Sequence, residues 1–226
     1  MTRNASSIAA AALLVATAGI SPGTAQVIDQ GVLEIRRDNR IVGEESFRIE
    51  RTDLRGVAVT IHSTARYRDN SNTELTALLE LDRDGQPLAA QFDHSGPPAE
   101  RAVVTLDARS VSYRILSPAG DNWGGTFRRP PAVVFWMQNQ FAPFLVAPIA
   151  GTETRGIDLV ARELRDVEVS DLGEVNETIG GEVVRARLIS AVADGEQIRL
   201  WYVRNQLVRV EIPSLSILAI RRVPSR

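Results

Sequence analysis

Cysteine does not occur anywhere in the 226 residues, and neither does lysine: all 26 positive charges are arginine. The first absence excludes cysteine nucleophiles, disulfides, thiolate zinc sites and iron–sulfur clusters. The second excludes Schiff-base lysines and the phosphate-loop lysine. Histidine occurs only at His62 and His94, so one chain cannot supply a three-histidine metal site. Aromatic residues make up just 5% of the chain. Beyond the N-terminal segment, no stretch approaches the ~18 uninterrupted apolar residues of a membrane helix. With 28 acidic residues the net charge is −2, which lacks the clustered positive charge of a nucleic-acid binder. What is present, 44% hydrophobic and 24% charged residues, is the composition of an ordinary globular protein. The exclusive use of arginine reads as compositional, so no single arginine is informative on that ground.

Residues 1–25 read as a secretory signal peptide. Arg3 is the only charge of a short n-region, and Ile8 to Ile20 forms an apolar run ended by Ser21-Pro22-Gly23. Gly23 and Ala25 place small residues three and one before a cleavage after Ala25. At about 13 residues, the run is short for a bilayer span. No cysteine follows it, which excludes a lipoprotein anchor. The expected exported chain, 26–226, is one β domain in the periplasm or outside the cell. A cysteine-free chain needs no oxidative folding there.

From Val27 onward the pattern alternates with period two. Phe47 and Ile49 alternate with Arg48 and Glu50; Val57, Val59 and Ile61 with Ala58, Thr60 and His62. Leu75, Ala77, Leu79 and Leu81 share one side, as do Val111, Tyr113 and Ile115. Val184, Ala186 and Leu188 alternate with arginines, and Val208, Val210 and Ile212 with Arg209 and Glu211. This is the pattern of half-buried antiparallel strands. Turn residues punctuate it at Asp38-Asn39, Asp53–Gly56, Asp69–Asn72, Asp82–Pro87, Gly180-Gly181, Asp194-Gly195 and Arg204-Asn205. The expected fold is all-β: an antiparallel meander closing as a barrel or a strongly curved half-barrel.

One segment interrupts the meander. Residues 118–150 hold four of the six phenylalanines and two of the three tryptophans. Pro130-Pro131 leads an apolar run, and Val134, Met137 and Phe141 share one face at helical spacing. The spacing predicts a short helical or irregular plug near 131–148, with two helical turns over Phe135–Phe141.

The organisation resembles a group of exported bacterial proteins, the domain of unknown function 3108. Four places carry the resemblance: Val42-Gly43-Glu44-Glu45-Ser46-Phe47, Leu81-Asp82-Arg83-Asp84-Gly85-Gln86-Pro87-Leu88, the proline-flanked aromatic segment, and Ile198–Val203 followed by Leu207–Pro213. It implies an exported antiparallel β domain and brings no chemistry with it. The architecture is also similar to the curved sheets of periplasmic lipoprotein carriers and other lipid-handling proteins.

Catalytic signals are weak. There is neither a G-x-S-x-G elbow nor an H-E-x-x-H pair, His62 falls on the side opposite Ile61, and His94 sits at a loop edge. The histidines can meet only if the sheet brings them together. Glu44-Glu45 and the run Asp166 to Glu177 raise cation binding, but the run lacks calcium-loop spacing and reads as a solvated strand face. Trp123-Gly124-Gly125 has no lysine after it and reads as a turn rather than a phosphate cradle. No catalytic residue, metal or cofactor is assigned. A curved sheet this large encloses more space than strand side chains fill, and the cover is the plug, a ligand or both. Phe135, Trp136, Met137, Phe141, Phe144 and Trp201 are the expected lining. Trp123 is expected beside them, with Arg128 and Arg129 at a rim fit for an anionic head group. Three functions stand at this point: binding of a lipid or other apolar ligand, or help in envelope assembly; a filled-core structural or interaction module with an envelope partner; and a hydrolase with an unrecognised site.

Overall fold

The computed structural model of the protein describes residues 25–222 apart from 55, 69–72, 97–98, 121 and 180. The leader and the Asp69–Asn72 turn therefore lie outside the described residues. The first eight strands are β1 (Gln26–Arg37), β2 (Arg40–Leu54), β3 (Val57–Tyr67), β4 (Glu74–Leu81), β5 (Pro87–Ser95), β6 (Glu100–Leu106), β7 (Ser110–Leu116) and β8 (Trp123–Arg128). The second seven are β9 (Ala132–Trp136), β10 (Thr154–Asp158), β11 (Glu163–Ile179), β12 (Glu182–Ala193), β13 (Glu196–Val203), β14 (Gln206–Ile212) and β15 (Ile217–Arg221).

All fifteen belong to one sheet in the order β8 to β1, then β15 down to β9. Each half is a meander of chain neighbours, and β1 pairs with β15 where the halves join. Arg221 seals that join: its guanidinium grips both Asp29 oxygens at 2.9 and 2.6 Å and stacks over Phe47. Tight turns follow from backbone chemistry. Asp38 and Asn39 both take positive φ, as do Arg204 and Asn205, which is the two-residue hairpin geometry matched to strand twist.

The sheet is open, because β8 and β9 pair on one side only. It is also strongly curved. Phe92 on β5 and Phe135 on β9 lie eleven strands apart, about 50 Å if the sheet were flat, yet their rings meet edge-on at 5.3 Å. Residues from both halves fill a single apolar core, including Leu33, Ile61, Leu79, Val104, Ile189, Leu200 and Val210.

Two local expectations change. Residues 132–136 form a strand, paired in parallel with β10, and only Ala142–Phe144 makes a single 3-10 turn. The predicted helix over Phe135–Phe141 does not form, because β10 offers an in-register partner and every β9 side chain is buried. β9 ends the sheet, yet it is buried on both faces. Secondly, a bulge opposite Trp201–Tyr202 breaks the Val208/Val210 alternation. Leu207 and Val210 face the main core, and Val208 joins Ala186 and Trp201 in a small separate cluster.

Candidate functional site: the internal strand and its cleft

The plug is the chain from Ala132 to Val146, and it occupies the space inside the curved sheet. Trp136, Phe141 and Phe144 are among the largest fully buried side chains. A backbone threaded through apolar surroundings must satisfy its own N–H and C=O groups. Beyond β9, where no strand partner remains, the sheet supplies side-chain partners instead. Glu45 on β2 is completely buried and receives the Phe141 N–H at 2.6 Å and the Ala142 N–H at 2.9 Å. Tyr67 on β3 donates its hydroxyl to the Asn139 carbonyl at 2.6 Å. Tyr202 on β13 does the same for Phe144 at 2.7 Å. Glu196, also on β13, accepts from the Trp136 indole at 2.8 Å and from the Gln138 amide at 2.7 Å.

Glu45 is the electrostatic centre of this arrangement. Burial pushes its carboxyl up from 4.5 to about 7, although Phe141, Ser63 and Ala142 all donate to it and pull the other way. Desolvation wins because no described ion pair involves Glu45 and three neutral dipoles replace less than water did. Asp158, at the end of β10, is raised as well, first by burial, while the Val160 and Ala161 amides and Arg165 oppose the rise.

Ser63 links Glu45 to the next residue of the plug. Gln140 is fully buried and donates its amide to the Ser63 hydroxyl at 3.2 Å. The carboxamide of Gln140 turns its nitrogen towards Ser63 and its oxygen away. Among the described residues its Oε1 has no partner, and neither does the buried Oδ1 of Asn139. Unmet buried acceptors cost about 1–3 kcal/mol each.

Both orphan oxygens belong to residues that line one cleft of about 300 Å³ between the plug, β4–β7 and the turn after β10. Leu75, Phe92, Ala102, Ile115, Met137 and Leu159 form its apolar walls. His94, Asp93, Glu100 and Arg162 form its polar edge, with Glu100 paired to Arg162 and Asp93 to Arg101. On the other side of the plug a gap of only about 50 Å³ remains beside Phe135, Phe144 and Val146.

The expected lining residues therefore separate. Phe135, Trp136, Met137, Phe141 and Phe144 come together in the plug, and Met137 alone of them lines the cleft with the orphan oxygens. Trp123 lies on edge strand β8, its ring 4.4 Å from Tyr113. Arg128 is exposed, and Arg129 caps carbonyls of Asp107 and Pro87; both border a separate hollow with Glu153 and Arg155. Trp201 sits in the small outer cluster under Arg209, 4.6 Å from the guanidinium. The histidines do not meet: His62 pairs across to Leu78 on the exposed side, whereas His94 is in line with buried Leu75 and Ala65. Among the described residues no cluster of ligating side chains could hold a metal ion, and no helix is long and apolar enough to cross a membrane.

Glu45, Ser63, Asn139 and Gln140 were not among the expected site residues. A signal for the first two was present: Glu45 is in phase with Phe47 and Ile49, and Ser63 with Ile61 and Ala65, so each is a polar residue on a core-facing row.

No model of a known protein family matches the chain, and no curated protein does. The fold is similar to that of a solved structure, a beta-barrel-like protein of domain of unknown function 1849 from Brucella abortus. The identity is 10% and the TM-score 0.53, over 85% of this chain and 94% of that one. At that identity the likeness is one of fold alone: the chain shares a barrel-like β architecture with an uncharacterised domain.

Proposed function

We propose that the protein is an exported, non-enzymatic β protein of the cell envelope that binds a small apolar ligand. The observation that carries this reading is the cleft beside the plug: apolar walls, a volume at the lower end of ligand pockets, and two buried acceptors without partners. The leader, and the resemblance to the exported domain of unknown function 3108, support a periplasmic location. Arg128 and Arg129 border a different hollow, so an anionic head group held by them is not part of the proposal. N-terminal sequencing of the exported protein should begin at Gln26. Native mass spectrometry of protein released from the envelope without detergent should show a mass increment of one small molecule. A ligand-free mass, together with no response to any added apolar compound, would sink the binding reading.

A second reading, an envelope interaction module, is favoured by β8. It is a terminal strand with Gly124-Gly125 in its middle and a free hydrogen-bonding side. Such edges accept an added strand. Slowed amide exchange at Gly124 and Thr126 in envelope extract, compared with buffer, would support it; unchanged exchange would not.

A further inference from the structure

Resting on the second reading, we propose that β8 takes up a partner protein by strand addition, and that the incoming strand is an extended segment in which apolar residues alternate with acidic ones. The juxtaposition behind this is an exposed, unguarded sheet edge beside two arginines that form no ion pair among the described residues.

The two ends of the open sheet differ. Every residue of β9 is buried, whereas Gly124, Gly125 and Thr126 of β8 are exposed. The Arg129 N–H bonds to the Arg109 carbonyl. Bonded and non-bonded positions alternate along an antiparallel pair, so Gly124, Thr126 and Arg128 turn their N–H and C=O groups away from β7. Natural edges are guarded by a charge, a proline or a bulge. β8 has no charge or proline from Trp123 to Phe127, and its register with β7 is unbroken. It is a template for one more strand.

The neighbouring side chains set what that strand carries, because its residues alternate between the two faces of the sheet. On the inner face they meet Trp123 and Phe127, half-buried rings that flank Tyr113 at 4.4 and 6.0 Å. Apolar side chains cover such rings. On the outer face they meet Arg128 and, across Gly124, Arg114. Gly124 puts no side chain between Arg114 and the added strand, and a hollow of about 700 Å³ bordered by Val103, Arg114 and Leu116 leaves room there. From Arg109 to Arg129 the chain carries four arginines against one acid, Asp121. Acids of the adjoining strands and turn are engaged, Asp93 by Arg101 and Asp107 by the Arg109 and Ser110 amides. Carboxylates in the outer row supply the charge that this edge lacks. A second copy does not supply it, since another β8 brings Arg128 and Arg114 again and no acid, like charge on like.

The test mixes the full-length protein with the blocked peptide Val-Glu-Val-Glu-Val-Glu-Val and with its glutamine and arginine analogues. Affinity is read by fluorescence anisotropy, and amide exchange at Gly124 and Thr126 by NMR. The glutamate peptide should slow exchange at both amides and bind about fivefold more tightly than the glutamine peptide, the size expected of two exposed charge pairs. The arginine peptide should bind more weakly than either. Arg114→Gln combined with Arg128→Gln should remove the preference for glutamate and leave the glutamine peptide unchanged; both side chains are exposed, so the fold is kept. High salt should narrow the same preference. If the peptides protect β8 equally, if the double variant still prefers glutamate, or if envelope extract protects the two amides and the glutamate peptide does not, the acidic assignment is overturned while strand addition stands. Protection that appears on raising the protein concentration alone makes the occupant a second copy. Protection by phosphatidylglycerol vesicles beyond that by any peptide makes it a membrane. Either result overturns the proposal. If nothing slows exchange at Gly124 and Thr126, the edge-strand reading itself fails and takes this inference with it.

Discussion

Glu45 makes stability depend on pH in an unusual direction. Its carboxyl titrates near 4.5 in the unfolded chain and is pushed up to about 7 in the folded one by burial. Between those values the folded state holds a proton that the unfolded state has released. Stability from this group is therefore fully present below pH 4.5 and is lost as pH rises through about 7, with little further change above. Lifting a carboxyl over that interval corresponds to about 3 kcal/mol. Asp93, Asp107 and Asp171 are lowered, so their contributions are lost only as pH falls below the ordinary carboxylate range. Asp158 is raised and acts in the same sense as Glu45, so the wild-type curve alone does not isolate one residue. The Glu45→Gln difference does. Glutamine is uncharged throughout, but its NH₂ must face one of the two backbone amides that the carboxyl now accepts. Urea denaturation of both proteins from pH 4.5 to 8 should show wild type ahead at the acid end, by about 1–3 kcal/mol. That lead should shrink by about 3 kcal/mol on reaching pH 8. A wild-type curve that is flat or rising between pH 5 and 7, or one that runs parallel to Glu45→Gln throughout, refutes the buried-acid account of the plug.

Three further perturbations address other contacts. Tyr202→Phe removes the hydroxyl on the Phe144 carbonyl and leaves that buried acceptor bare, so denaturation should report a loss of about 1–3 kcal/mol. Gly43→Ala puts a Cβ 2.6 Å from the Arg66 backbone oxygen, which is sheet and cannot move aside; the melting temperature should fall by several degrees, as for a loss of about 2 kcal/mol. Arg221→Lys exchanges a fork on Asp29 for a single ammonium and removes the stacking over Phe47. About 1 kcal/mol should go, together with part of the salt sensitivity of unfolding.

The strands were legible because their side chains are sorted by one rule. Leu75, Ala77, Leu79 and Leu81 are buried in a row, and the residues between them are half-exposed. Hairpin turns were legible because Asp38, Asn39 and Asn205 are residue types that tolerate the positive φ that the turn imposes. β9 was not, and for a physical reason. Its strand character comes from β10, Thr-Arg-Gly-Ile-Asp, whose parallel pairing with β9 spans an intervening segment. Local pattern carries no information about a partner brought in that way. The helical spacing of Val134 and Met137 arises because residues 132–137 are all apolar and buried, and such a stretch fits any period; Phe141 falls in phase with them across the polar Gln138-Asn139-Gln140. Trp201 was misleading in a similar way: aromaticity marks burial, but Trp201 alternates with Leu200 and Tyr202 of the main core and so packs on the far side of the sheet, beside the bulged Val208.

The polar anchors explain why the plug stays inside an open sheet. A closed barrel protects its interior by continuous strand pairing, whereas β8 and β9 here pair on one side only. Apolar contact alone would hold Phe141 and Phe144 in any register that buried them. Hydrogen bonds are directional, and four of them are aimed at four successive stations: Tyr67 at Asn139, Glu45 at Phe141 and Ala142, Tyr202 at Phe144. Sliding the plug by one residue would break all of them, three at buried groups and one at a half-buried group. The same register places the side chains of Asn139 and Gln140 in the wall of the cleft and commits the nitrogen of Gln140 to Ser63. The positions of Asn139 and Gln140 are thus fixed by the anchoring that positions the plug.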